Sequence, residues 1–232
     1  MNQDPARLLG VGVLIAGAIT AAVFLVPKAF TITAGPEVEL ITLVKKAESR
    51  GLELLVGDAG TLYSEQVFFE RMQVTVDPIA GTARINCTLD FTGHLGDVKV
   101  SSLGLERIGF KSSTGGEWVP ANGLAPRLVR VIWALEVRRR AIEAGDKEAL
   151  ARLNAQTADG GALPGELGEI FAVTERRYRA LNWLIRFERE GATVTEDFRL
   201  EGNSPHAPID RKGSVRLFVD PDGEFFFPQG LM

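Results

Sequence analysis

Residues 126–144 read PRLVRVIWALEVRRRAIEA and are followed by Gly145-Asp146. Proline suits the first turn of a helix and glycine its end, so the stretch predicts a helix from Pro126 to Ala144. At 100° per residue, Leu128, Val131, Ile132, Leu135, Arg139 and Ile142 share one face, while Val129, Trp133 and Val137 make a second. A helix apolar on two sides is covered on two sides, or carries Trp133 to a protein partner. Asp146 is placed to cap a second helix running through Asn154, which gives a tight helix-turn-helix.

The elements that follow set the fold class. Beyond Gly160-Gly161 and Pro164-Gly165 the chain turns to a period of two: Leu181, Trp183, Ile185 and Phe187, then Ala192, Val194, Phe198 and Leu200, then Val215, Leu217 and Val219, with Phe225 and Phe227 closing the chain. Gly191 and Asp220-Pro221-Asp222-Gly223 read as the hairpin turns. Two helices followed by a meander predict an α+β region with helices on one face of a curved antiparallel sheet.

Glu143 to Leu150 spell EAGDKEAL. Together with the element order, this word makes the region Leu124 to Met232 resemble the nuclear-transport-factor-2-like superfamily. The resemblance implies a cone-like sheet. Families with that fold include small-molecule isomerases and dehydratases, and also non-catalytic periplasmic domains carried on single membrane helices. The region between Asn154 and Tyr178 departs from the pattern, which ordinarily places a strand and a third helix there.

Upstream, residues 37–122 form another α+β half, separate from 123–232. A helix is expected after Gly35-Pro36, with Val38, Leu40, Ile41, Leu43 and Val44 apolar and Lys45, Lys46 and Arg50 in its last turn. The clearest strand alternates Ala83, Ile85, Cys87, Leu89 and Phe91 with polar residues. It pairs with Val74-Thr75-Val76 through the turn Asp77-Pro78-Ile79-Ala80-Gly81. Val98 to Phe110 adds more strand, whereas Leu52–Val56 and Leu62–Phe69 stay untyped. Both halves run from helix to meander, so an ancient duplication is an open reading.

The N-terminus is of another composition. After a short leader, residues 1–7, Leu8 to Val26 hold no charged residue, and residues 27–36 make a linker. At about 1.5 Å per residue, a helix over Leu8–Val26 spans roughly 28 Å, against roughly 30 Å for the hydrocarbon core of a bilayer. The apolar run continues past the small residues Ala16-Gly17-Ala18, which favours an uncleaved transmembrane signal anchor over a cleaved signal. A single-pass membrane protein with an extracytoplasmic (periplasmic) domain is therefore expected.

Candidate chemistry is sparse. The 232 residues contain one Cys and two His and carry a formal charge of −4. One cysteine excludes thiolate metal clusters, and His94 and His206 fall in Gly- or Pro-containing loops without a neighbouring ligand. Cys87 belongs to an apolar strand face, where a thiol is a small hydrophobe. Phosphate-loop and dinucleotide glycine motifs are missing. Arg127, Arg130 and Arg138-Arg139-Arg140 make a basic helix, and Arg176, Arg177 and Arg179 a second cluster. Interspersed acids and the acidic total argue against nucleic acid.

Arg139 and Glu196 each fall on the apolar side of their element, so a buried ion pair between them is expected. The functional version makes Glu196, Arg139 and Trp183 ligand-binding residues in the cavity of the cone. The expectation is thus an anchored, non-catalytic, protein-binding or scaffolding domain that is self-associating or partnered, with no metal and no cofactor. A small-molecule binder or isomerase-like enzyme is the alternative.

Overall fold

The computed structural model describes residues 35–154, 168, 170–189, 191–204 and 207–220. The chain divides into two units, Met1–Glu39 and Leu40–Met232. The first is described only at residues 35–39.

Helix α1, Pro36–Arg50, opens with Glu37 and Glu39 in its first turn and closes with Arg50 in its last, so its charges oppose the helix dipole at both ends. Strand β1 (Glu53–Leu55) leads through a short 3-10 turn, Gly57–Ala59, into three long strands. These are β2 (Thr61–Asp77), β3 (Thr82–Leu95) and β4 (Val98–Ser112), followed by the short β5 (Trp118–Pro120). Helices α2 (Pro126–Ala144) and α3 (Lys147–Asn154) come next, then β6 (Thr174–Phe187), β7 (Ala192–Asn203) and β8 (Pro208–Val219).

The strands make one eight-stranded sheet in the order β1-β2-β3-β4-β6-β7-β8, with β5 paired to the end of β4. Every pairing but one is antiparallel. At the centre β6 runs parallel to β4, from Lys99 opposite Asn182 to Gly104 opposite Phe187. The chain leaves β4, passes through α2 and α3, and re-enters beside it in the same direction, which is what a helical crossover permits and a tight hairpin does not. Strands from both sides of residue 122 therefore share one sheet.

This architecture corrects the expected fold. Helices packed on a cone-like antiparallel sheet give way to a large mixed sheet with few helices. The untyped segment Leu62–Phe69 belongs to the longest strand, β2. Its alternation is broken by register shifts between Ser64 and Gln66 and between Glu70 and Gln73, with Arg71 at φ 50° in the second. Such bulges reset which residues face inward and scramble a period-two reading. A similar shift between Ala180 and Asn182 puts Leu181 on the outside, although it was expected to share a face with Trp183.

The anchor expected over Leu8–Val26, with its leader and linker, lies outside the described residues, as do residues 155–167, His206 and the segment from Pro221 to Met232. Among the described residues no helix is long and apolar enough to cross a membrane. The longest, α2, carries Arg127, Arg130, Glu136 and Arg138 to Arg140. The single-pass, signal-anchored and periplasmic assignment is corrected on that finding.

Other local readings agree with the structure. The turn Asp77–Gly81 is closed by the Asp77 carboxylate, which accepts the backbone N–H of Ile79 and of Ala80 at 3.0 Å each. In EAGDKEAL, Gly145 takes the left-handed conformation (φ 74°), its N–H reaching the carbonyls of Ala141 and Ile142. Asp146 then accepts the N–H of Ala149 at 2.8 Å and caps α3. The chemistry of stopping one helix and starting another accounts for this word.

The main core lies between the sheet and the helices. It gathers Leu40 and Val44 of α1, alternate residues of β2 to β4, Leu128 to Leu135 of α2, and Trp183, Ile185 and Val194 of the second meander. A smaller cluster around Ile142, Leu150, Tyr178, Phe198 and Leu200 closes the other end of α2.

Candidate functional site

Helix α2 lies over the β4–β6 seam and is fixed there by two buried carboxylates, one near each end. At its start, Ala125 offers no capping side chain. Glu106, fully buried on the inward side of β4, supplies the cap from the sheet. Its Oε1 accepts the backbone N–H of Arg127 at 3.1 Å and of Arg107 at 2.8 Å, and its Oε2 accepts that of Leu128 at 3.2 Å. A carboxylate at a helix N-terminus satisfies orphan donors and meets the positive end of the dipole. Burial nonetheless pushes the Glu106 carboxyl up to about 7, against the pull of those three N–H groups and the Arg127 charge.

Arg127 completes this anchor. Its guanidinium donates to the carbonyls of Leu105 and Glu188 and lies over the Phe187 ring, 5.3 Å from the centroid. One side chain of α2 therefore holds backbone from both sides of the seam. Sequence reasoning did not find Glu106 or this role of Arg127. The available signal was the alternation Ile108, Phe110 extended backward by one step to Glu106.

Nearer the other end, Glu196 of β7 is 1% exposed and pairs with Arg138, whose Nη1 stands 2.6 Å from Oε2. The expected partner was Arg139. That residue turns aside instead, bridging Glu136 at 3.1 Å and Glu143 at 2.7 Å along the helix surface. Leu128, Val131, Ile132, Leu135 and Ile142 of the expected face are buried, and Arg127, Ala134, Arg138 and Ala141 are buried with them, so the covered face of α2 is wider than expected and takes in Arg138 in place of Arg139. Arg138 also donates to the Tyr178 hydroxyl at 3.4 Å and lies over its ring.

Trp183 faces Glu196 across the β6–β7 register and is fully buried. Burial raises the Glu196 carboxyl, while Arg138, the Tyr178 hydroxyl and the Trp183 indole favour its charged form. Trp183 Nε1 and Glu196 Oε1 are both buried without a hydrogen bond. Burial and the Glu196 charge hold the Tyr178 phenol protonated well above its ordinary range.

Of the three expected ligand-binding residues, the structure thus brings Glu196 and Trp183 together and leaves Arg139 aside. The Glu196 cluster lies beneath α2. A cleft of about 460 Å³ opens elsewhere, lined by Thr75, Arg84, Asn86, Gly109 and Lys111 among others.

Trp133 does not project as a free anchor. Gly57 of the 3-10 turn lies against its ring, and Arg140 stands over it at 5.7 Å while bridging Asp58 at 2.6 Å. Arg127, Arg138, Arg139 and Arg140 of α2 are thus each engaged within the fold. Cys87 is 2% exposed, and burial pushes its thiol up to about 12, far from a reactive thiolate. His94 was expected in a loop but sits in β3, stacked on Tyr63 at 5.8 Å with Nδ1 3.5 Å from Glu65. Among the described residues no group of three or more His, Cys, Asp or Glu is placed to hold a metal ion.

The opposite face of the sheet has another character. Leu103, on the central β4, is 53% exposed, and Tyr63, Phe68, Leu184 and Phe218 on other strands are exposed with it. Side chains of β3 alternate strictly, buried toward α2 and polar or exposed on this face. No described helix packs there: the helix contacts within this unit run to the inner side, through Glu106, Glu196 and the core.

No protein-family model matches this chain, and no curated protein matches it in sequence.

Proposed function

We propose that this is a non-catalytic, protein-binding domain whose docking surface is the helix-free face of the sheet. The observation that carries this reading is the set of exposed large apolar side chains, Tyr63, Phe68, Leu103, Leu184 and Phe218, on strands β2, β4, β6 and β8 of one face. On the same face these side chains alternate across the strands with Asp90, Arg186 and Thr193, and a surface that mixes large apolar side chains with charges is the chemistry of a protein interface.

The ionisable groups of the interior support the same reading. Glu106 and Glu196 are each engaged in fixing α2 to the sheet, by hydrogen bonds to helix N–H groups in the first case and by Arg138 in the second. Groups committed to structure in this way serve position and not turnover.

A photoreactive residue at position 103 of the intact chain, compared with one at Arg139 on the helix side, tests the proposal. Protein adducts are expected from position 103 and few from position 139. Equal labelling from both positions, or purification of the chain with a bound small molecule and no adduct from position 103, would overturn it.

A further inference from the structure

We infer that the occupant of this face is a second copy of the same chain, the two sheets meeting face to face about a two-fold axis that runs along β4. The inference rests on the docking reading above and names its partner.

The strand register sets one row of side chains across the open face: Phe68, Asp90, Leu103, Arg186, Thr193 and Phe218, from β2 to β8. Leu103 is flanked by an acid on one side and a base on the other. Asp90 and Arg186 are two strands apart, and neither forms an ion pair among the described residues.

A two-fold axis along β4 carries each strand onto its mirror position in the row. Leu103 then meets its own copy, Asp90 of each chain faces Arg186 of the other, and both charge pairs form at once. This self-complementarity is what an isologous interface requires. In the next row the same axis sets Leu184 against Thr92 of the other copy, since Thr92, Ser101 and Leu184 are register neighbours. Lys99 meets its own copy in the row beyond. That is the outer rim of the patch, where a lysine reaches water along its flexible stem.

The area is sufficient. Five strands, β2 to β7, overlap about this axis; at about 4.8 Å each and three rows at about 6.8 Å they give roughly 500 Å² per copy, hence roughly 1,000 Å² in all, the size at which specific interfaces begin. Sheets of a sandwich pack about 10 Å apart, a gap that opposed leucines fill and that an Asp–Arg pair spans.

The test is the solution mass of the intact chain by light scattering, with circular dichroism to verify the fold of every variant. The 25.2 kDa chain should run at twice its mass. Leu103→Asp should make it monomeric. Asp90→Arg and Arg186→Asp should each weaken the dimer by about tenfold or more, and the two together should restore it, because only the reciprocal pair is re-formed. A monomeric wild type, or a dimer indifferent to Leu103→Asp and to both charge reversals, overturns the second-copy inference. Position 103 then distinguishes the two levels: crosslinking to a different protein leaves the docking reading standing, and no protein crosslink removes both.

Discussion

Arg138 and Arg139 are separated by one 100° step on α2, and that step divides a buried ion from a solvated one. Both positions lie within reach of the face defined by Leu135 and Ile142, so heptad arithmetic alone does not choose between them. The choice is made by the partners: Glu196 and the Tyr178 hydroxyl meet Arg138 from the sheet, whereas Glu136 and Glu143 of the helix itself hold Arg139. Glu196 was legible because β7 alternates without a bulge through Ala192, Val194 and Phe198. Glu106 was overlooked because Gly104 and Leu105 interrupt the alternation just before it. Glu106 also gives the fold a definite pH response. Its native carboxyl, pushed up to about 7, binds a proton more tightly than the ordinary 4.5 of an unfolded glutamate. Between these values the native state holds the proton and the unfolded chain releases it. The contribution of Glu106 is therefore fully present below about pH 4.5 and is lost as pH rises through about 7, a change on the order of 3 kcal/mol. Glu106→Gln cannot titrate, so in urea unfolding from pH 5 to pH 8 its stability should fall by less than that of the wild type. Parallel curves for the two proteins would assign the slope to other groups.

At the scale of elements, the β4–β6 seam is the feature the sequence concealed. The helices α1 and α2 and the strands β3 and β7 were legible, because capping residues and clean alternation are local signals. Which strand lies beside which is a non-local matter. Nothing near Trp183 says that it will lie opposite Val100 in a parallel pair. One residue at the seam does leave a trace: Gly104, in the middle of a strand where glycine is otherwise a cost. It has φ 135°, and a Cβ there would stand 2.1 Å from the carbonyl oxygen of Phe187. Gly104→Ala must therefore push β6 away from β4 or abandon the backbone conformation. We expect a loss of about 3 kcal/mol or more, or failure to accumulate folded protein. Gly96 is the control. It also has positive φ, but an added Cβ meets nothing within 4 Å, so Gly96→Ala should cost only about 1 kcal/mol. Thermal unfolding of the two variants side by side checks this, and equal costs would mean that the seam tolerates separation.

For the unit Leu40–Met232 as a whole, the seam decides how unfolding proceeds. The sequence divides naturally at residue 122 into two helix-then-meander segments, and two such segments with separate cores would melt separately. The observed core mixes Leu40, Ile85 and Phe110 from one segment with Leu128, Trp183 and Val194 from the other. Glu106 of the first segment holds the start of α2, which belongs to the second, and Arg127 of α2 holds the Leu105 carbonyl in return. Opening either segment thus exposes apolar surface and a buried carboxylate of the other, an arrangement that makes unfolding all-or-none. In urea, fluorescence from the tryptophans, which lie in both segments, and far-ultraviolet circular dichroism should trace one coincident transition. Ile85→Ala and Ile185→Ala, one buried residue from each meander, should move that transition to lower denaturant by similar amounts, about 3 kcal/mol each, without splitting it. If one substitution instead produces a second transition and leaves the other segment's midpoint unmoved, the seam is a contact between two separable folds and not the centre of one.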